Sequence, residues 1–137
     1  MNSRTVTIFG VFDGIHDGHR YLINEARKEG DRLVAIVARD STVEKLKNKK
    51  PLHDETTRIA YLLEVPEIDM VLLGDPDEGA YNVLKEVKPD VVYLGYDQSD
   101  LSDSINKAIK SKILPKIELK LGKPYKADQL KSSILNK

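Results

Sequence analysis

Short apolar runs alternate with amphipathic segments along the whole chain. The apolar runs are rich in β-branched residues and predict strands at 5–10, 32–38, 70–73 and 91–94, with a weaker fifth strand at 116–119. Segments with apolar residues three or four apart lie between them and predict helices at 18–29, 55–63, 81–87, 102–112 and 127–135, and the strongly charged segment at 43–49 is predicted to be a short helix or a loop. We therefore predict an α/β protein, a single Rossmann-like domain over 1–137 with a parallel five-stranded sheet and helices on both faces. The pattern is weakest in the tail from about 120 to 137.

Two residues are predicted to mark helix ends. Gly30 follows the first helix where a C′ glycine is expected, and Asp54 precedes the apolar positions Ile59, Leu62 and Leu63 as an N-cap.

Composition narrows the functional classes. The 137 residues include 22 Lys plus Arg and 22 Asp plus Glu, so the basic excess typical of nucleic-acid binders is absent and we expect no nucleic-acid partner. The chain has no cysteine, which excludes disulfides, thiolate zinc sites and cysteine nucleophiles. No apolar run approaches the ~20 residues that span a bilayer, and no signal-peptide core begins the chain, so we expect a cytoplasmic protein without a membrane partner.

Two histidines follow the first predicted strand, separated by Asp17 and Gly18. The segment runs from a glycine-containing turn into an amphipathic helix, so His16 and His19 lie at the positive end of a helix dipole. Such a place suits a polyphosphate, because backbone amides and ring nitrogens can donate to phosphate oxygens. Asp13 and Asp17 are expected to help hold a divalent metal or simply to close the turn.

Two other interpretations of these histidines remain open. Residues three apart can bind a metal, although no glutamate or third histidine lies nearby to complete zinc ligation. They can also be solvated turn residues.

A second candidate turn, 95–98, follows the strand at 91–94. Ligands of parallel α/β sheets bind beyond the carboxyl ends of the strands, where the strand order reverses. The histidine turn and the turn at 95–98 are therefore predicted to share one site.

The pattern H-x-G-H after a strand ending G-x-F-D resembles the signature of the nucleotidyltransferase superfamily. The sequence V-A-R-D at 37–40, the lysine-rich stretch at 44–50 and G-Y-D-Q at 95–98 follow in the order found in its cytidylyltransferase-like branch. More narrowly, the chain is similar to archaeal-type FAD synthases. The similarity covers about 5–98 and extends poorly into the tail.

This resemblance implies roles for particular residues. The main chain of Val11 and Phe12 approaches the nucleotide, although Val11 stands where the family has threonine. His16, Asp17, Gly18 and His19 cradle the triphosphate, the two histidines being catalytic, and Asp97 holds the nucleotide.

Further roles have competing structural interpretations. A lysine from the run that contains Lys45 and Lys47 reaches phosphate, or the run is a solvated face. Arg58 supports the phosphates or forms a surface salt bridge. Members of the family carry a phosphate-binding motif resembling S-T-[ST]-K-I near the end of the chain. The corresponding segment here is L-K-S-S-I at 130–134, which leaves Ser132 and Ser133 as the phosphate donors. Tyr125 stacks on a base or flavin, or packs within the protein.

The resemblance implies an FAD synthase that transfers AMP from ATP to FMN and releases pyrophosphate, with a divalent cation, Mg²⁺, bound with the nucleotide. The alternative acceptors are glycerol-3-phosphate, a sugar phosphate or phosphopantetheine, with CTP as an alternative nucleotide. A non-catalytic nucleotide-binding module and a fragment related to class I aminoacyl-tRNA synthetases are further alternatives. A homodimer is expected by analogy.

Overall fold

The computed structural model describes residues 3–76 and 81–124 and contains one sheet with flanking helices. Its elements in chain order are β1 Thr5–Gly10, α1 Asp17–Arg27, β2 Arg32–Val37, α2 Asp40–Lys47, α3 Glu55–Leu63, β3 Met70–Leu73, α4 Asn82–Val87, β4 Val91–Leu94, α5 Ser99–Lys110 and β5 Glu118–Leu121. The predicted α/β fold is confirmed.

The five strands are all parallel and lie in the order β3-β2-β1-β4-β5. The chain moves outward from β1 through β2 to β3, then crosses back to β4 beside β1 and continues to β5. The strand order thus reverses between β1 and β4, which is where a parallel sheet opens a crevice at its carboxyl edge. The histidine turn and the turn after β4 both lie there, as the sequence predicted.

Helices cover both faces of the sheet. On one face, Ile23 and Ala26 of α1 and Leu62 of α3 pack with alternate strand residues such as Val6 and Leu33. On the other face, Leu84 of α4 and Ile105 and Ala108 of α5 pack with Ile36, Val92 and Leu94. Every residue of β4 is buried, as its apolar run predicted.

The predicted helix ends are correct at Asp54 and wrong at Gly30. The Asp54 side chain accepts a hydrogen bond from the Thr57 amide at 2.8 Å. Gly30 is not in the left-handed conformation of a C′ glycine. It packs against β1, where a Cβ would lie 2.4 Å from the Arg4 carbonyl oxygen, so close approach of the backbone requires glycine here.

Several boundaries differ from the prediction. α2 begins at Asp40 and α5 at Ser99, each three residues before its predicted start, and β5 lies at 118–121. The predicted helix at 127–135 lies outside the described residues, so the extent of the single domain over the full chain stays a prediction. Among the described residues, no helix combines the length and the hydrophobicity needed to cross a bilayer.

Candidate active site

A cavity of about 560 Å³ opens at the carboxyl ends of β1 and β4. Its wall includes the histidine turn, the turn from Gly95 to Gln98 and Lys47 at the end of α2. Its volume is in the range of small-molecule binding sites. The two turns that the sequence placed at one site therefore do meet.

His16 and His19 cap α1 reciprocally. His16 is the N-cap, and its Nδ1 accepts hydrogen bonds from the amides of Gly18 at 3.0 Å and His19 at 3.3 Å. In return, Nδ1 of His19 accepts from the amide of His16 at 3.3 Å. The two rings stack with their centroids 3.8 Å apart. The arrangement is a capping box in which imidazoles replace the usual hydroxyl and carboxylate.

These hydrogen bonds assign the tautomer of each ring. A neutral imidazole whose Nδ1 accepts a hydrogen bond carries its hydrogen on Nε2. Each histidine is therefore a donor through Nε2 in its neutral form. Because Gly18 and both rings line the cavity, these donors belong to the surface that a ligand would contact.

His19 is held in the neutral form at pH 7. Burial and, to a smaller extent, the charge of neighbouring His16 lower the pKa of His19, while a hydrogen bond to the Gly14 backbone and the charge of Asp97 oppose them, and the net pKa is about 4. In the free protein, His19 therefore acts as a hydrogen-bond donor and not as a cation.

Phe12 supports the histidine turn from below. Its backbone has φ of 53°, its side chain is 1% exposed, and its ring centroid lies 5.3 Å from that of His19. A Cβ on Gly10 would come within 2.8 Å of the Phe12 ring, so glycine at position 10 lets this ring fold back under the turn. The role expected for the main chain of Val11 and Phe12 toward a nucleotide stays a prediction.

The turn after β4 is tied to β1 through Gln98. Its Oε1 accepts from the Gly95 amide at 2.8 Å, and its Nε2 donates to the Phe9 carbonyl at 3.1 Å. Gln98 thereby fixes the position of Asp97, which lines the cavity. Sequence reasoning did not assign this bridging role to Gln98, although the tetrapeptide G-Y-D-Q was the available signal.

Arg58 is not part of the cavity wall, and its predicted support of the phosphates stays a prediction. Its side chain is fully buried, which rules out a surface salt bridge. The guanidinium donates to the carbonyls of Val11, Ala38 and His53 at 2.7–3.0 Å and to the Asp40 carboxylate at 2.7 Å. Arg58 therefore joins the ends of β1 and β2 to the start of α2.

Asp13 closes the turn and does not present a free carboxylate to a metal. Its oxygens accept from the amides of Leu52 at 2.6 Å and His53 at 2.9 Å, and the His53 ring lies 2.9 Å away. Burial acts to raise the pKa of Asp13, but these hydrogen bonds outweigh it and hold the pKa below its usual value. Sequence reasoning missed His53, because only the tertiary fold brings it to Asp13.

The remaining predicted residues divide into three groups. Lys47 lines the cavity, whereas Lys45 and Asp17 are exposed and lie outside its wall. Tyr125, Ser132 and Ser133 lie outside the described residues. Within residues 3–76 and 81–124, no three His, Asp or Glu side chains form a group that could hold a metal ion.

Comparison with known proteins matches the model of the cytidylyltransferase-like family to residues 7–127. The chain belongs to the cytidylyltransferase-like family. This confirms the nucleotidyltransferase resemblance inferred from the histidine turn. It argues against a fragment of an aminoacyl-tRNA synthetase.

Similar proteins carry more specific names. The chain is 37% identical over 128 residues to a protein of Pyrococcus horikoshii named FAD synthase, covering 93% of this chain and 86% of that one. It is 47% identical over 89 residues to an Aciduliprofundum boonei protein of the same name, covering 65% and 58% of the two chains. Among solved structures, it resembles a lipopolysaccharide core biosynthesis protein of Thermoplasma volcanium with a TM-score of 0.82 and 34% identity, covering 90% of this chain and 99% of that one.

Proposed function

We propose that this protein is an FAD synthase that transfers AMP from ATP to FMN and releases pyrophosphate. Relatives named FAD synthase match most of the chain. The structural observation that carries the proposal is the reciprocal histidine cap, which leaves Nε2 of both rings as the donor and lies on the same cavity as the turn after β4. Donors in such a position stabilise the negative charge that develops on phosphate oxygens during transfer.

The aromatic residues of the cavity favour a flavin acceptor. The chain has six tyrosines and two phenylalanines, eight in all, and five of them line the cavity: Phe9, Phe12, Tyr21, Tyr93 and Tyr96. The small aromatic content is therefore concentrated at one place. A planar ring system binds well against such side chains.

The reaction needs no covalent enzyme intermediate. An oxygen of the FMN phosphate attacks the α-phosphorus of ATP in line, a new P–O bond forms, and the bond from the α-phosphorus to the bridging oxygen of the β-phosphate breaks. Pyrophosphate takes the electron pair. His16 and His19 hold the phosphates through Nε2 and stabilise the departing charge, and Lys47 adds a positive charge on the cavity wall.

A divalent cation, Mg²⁺ by its preference for phosphate and carboxylate oxygens, completes the proposal. Such ions are usually held by one or two carboxylates plus substrate phosphates. Asp97 is the carboxylate on the cavity wall that fits this role, since Asp13 is engaged with the loop after α2. The ion would neutralise phosphate charge as pyrophosphate leaves.

A sugar-phosphate acceptor is the second candidate, favoured by the name of the Thermoplasma volcanium structure. The cytoplasmic location, the homodimer and the absence of a nucleic-acid partner remain predictions.

The test is to titrate FMN with and without ATP and Mg²⁺ and to follow FAD by its changed fluorescence. FAD and pyrophosphate in equal amounts are expected. A parallel panel with CTP, glycerol-3-phosphate and sugar phosphates distinguishes the acceptors. ATP binding without pyrophosphate release under all conditions would instead identify a non-catalytic module.

A further inference from the structure

The segment that carries Lys47 onto the cavity wall has little apolar anchorage. Val43 is the one buried residue of α2. The two leucines that follow it, Leu46 and Leu52, are 71% and 88% exposed. A segment with so few buried apolar contacts opens more easily than the core. The position of Lys47 therefore depends on polar contacts.

One set of polar contacts holds the start of α2. The Asp40 amide donates to Oε1 of Glu55 at 2.8 Å, and the Asp40 carboxylate accepts from Arg58 at 2.7 Å. Lys47 is the last residue of this helix. At a rise of ~1.5 Å per residue it lies ~10 Å from Asp40, so the first anchor alone does not fix it.

The second set of polar contacts lies beyond Lys47, in the α2–α3 loop (residues 48–54). Asp13, which lines the cavity, accepts from the amides of Leu52 at 2.6 Å and His53 at 2.9 Å, and it lies 2.9 Å from Nδ1 of His53. Because a carboxylate only accepts, Nδ1 carries the hydrogen and donates. The Asp13 side chain is only 16% exposed, so these bonds are partly shielded from water. The loop is thus tied to the cavity wall.

His53 is itself held by α3. Its ring meets that of Tyr61 edge to face, with centroids 5.4 Å apart and planes at 80°. Its carbonyl accepts from Nε of Arg58 at 3.0 Å. His53 is not among the described residues that line the cavity. It can influence the cavity only through the residues that it holds.

We propose that His53 is a positioning residue, which acts through Asp13 to fix the α2–α3 loop and so keeps Lys47 on the cavity wall. The inference rests on the proposed function, in which Lys47 supplies positive charge to the phosphates. The attraction between charges falls with distance, and small misplacements of a group that acts on the reacting atoms lower the rate. Loss of the imidazole should therefore lower turnover, although His53 contacts no substrate.

A double-mutant cycle on kcat tests this dependence. We expect Lys47→Ala to lower kcat about 100-fold and His53→Ala to lower it about tenfold. The double variant should lose about 100-fold and not the product of about 1,000-fold, because His53 then has no lysine to position. His53→Asn places an amide N–H near the position of Nδ1–H, so its kcat should stay within about threefold of wild type.

Lys110 provides the matched control, since it is an exposed lysine at the last position of α5. Lys110→Ala should leave kcat within about twofold of wild type, and its effect should multiply with that of His53→Ala. Limited trypsin cleavage after Lys49 measures the loop without catalysis. It should be faster in His53→Ala than in wild type, and close to wild type in His53→Asn.

Two results would overturn the positioning role and leave the proposed function standing. One is a loss of about 1,000-fold in the double variant, which shows independent effects. The other is an equal loss of kcat in His53→Asn and His53→Ala. If the wild type forms no FAD, the proposed function fails, and the same cycle measured on the Kd for α,β-methylene-ATP decides the role of His53.

Discussion

The histidine turn and the loop between α2 and α3 are held by different kinds of contact. The histidine turn is fixed by hydrogen bonds between residues two and three apart, from His16 to His19. The α2–α3 loop is fixed by partners 39 and 40 positions away, at Asp13. The contacts of the histidine turn form between near neighbours in the sequence, whereas those of the α2–α3 loop form only after β1 and α3 have come together.

Arg58 extends this distant network, and its loss should have the largest effect. Replacing it with methionine leaves three carbonyls and the Asp40 carboxylate without their donor, in a site where the side chain is fully buried. We expect Arg58→Met to lower the free energy of unfolding by about 3–5 kcal/mol, a large share of a typical domain stability. Urea denaturation measures it.

Arg20 provides the matched control, because it is an exposed arginine on α1. Arg20→Met should change the free energy of unfolding by no more than about 0.5 kcal/mol. Equal stability of the two variants would show that the buried network does not hold the loop.

The histidine turn is tested by separating the two roles of His16, which are to cap α1 and to donate a hydrogen bond to phosphate. His16→Ala, like His19→Ala, should reduce turnover at least ~100-fold through loss of a phosphate donor, and His16→Ala should also cost about 1 kcal/mol of stability through loss of the N-cap. His16→Asn keeps a side-chain oxygen that caps the helix, so it should restore stability while turnover stays low. Turnover of His16→Asn near that of wild type would mean that the histidine acts only as a cap.

The last expected effect is the pH dependence of stability that His19 contributes. Because the pKa of His19 is lowered to about 4 in the folded protein, against an ordinary 6.5, the unfolded chain binds more protons between these values. Stability should therefore fall as the pH decreases from 6.5 to 4. In His19→Asn, the free energy of unfolding should depend less on pH over this interval, as measured by urea denaturation at pH 7, 5.5 and 4.5. An unchanged dependence on pH would exclude His19 as its source.

Below pH 4, carboxylates and not His19 determine how stability depends on pH. Hydrogen bonds lower the pKa of Asp54 and, against the opposing effect of burial, those of Asp13 and Asp69, so the stability that these carboxylates provide is lost as the pH falls through and below 3.8. The two windows distinguish the histidine from the carboxylates.

The sequence predicted the fold because strands and helices differ in the spacing of their apolar residues. β1, β3 and β4 were located at their observed bounds, and β5 was displaced by two residues because its alternation of apolar and charged residues is short. The histidine turn was also predictable, since strand, glycine, cap and helix follow one another along the chain.

Arg58 and His53 show why the rest could not be predicted. An arginine in an amphipathic helix is usually solvated, and nothing near position 58 indicates that three carbonyls from different segments surround it. Likewise, His53 lies 40 residues from Asp13 in sequence. Such roles depend on distances that no local pattern encodes.

The sequence by itself determined the α/β fold, the parallel sheet and the place of the histidine turn, because these follow from periodicity and from bonds among neighbouring residues. The tertiary structure decided which charged side chains are buried, how the turn after β4 is tied to β1, and that Tyr21, Tyr93 and Gly122 line the same cavity. Those features arise where separate strands and helices pack, and close packing fixes them only when all the partners are present.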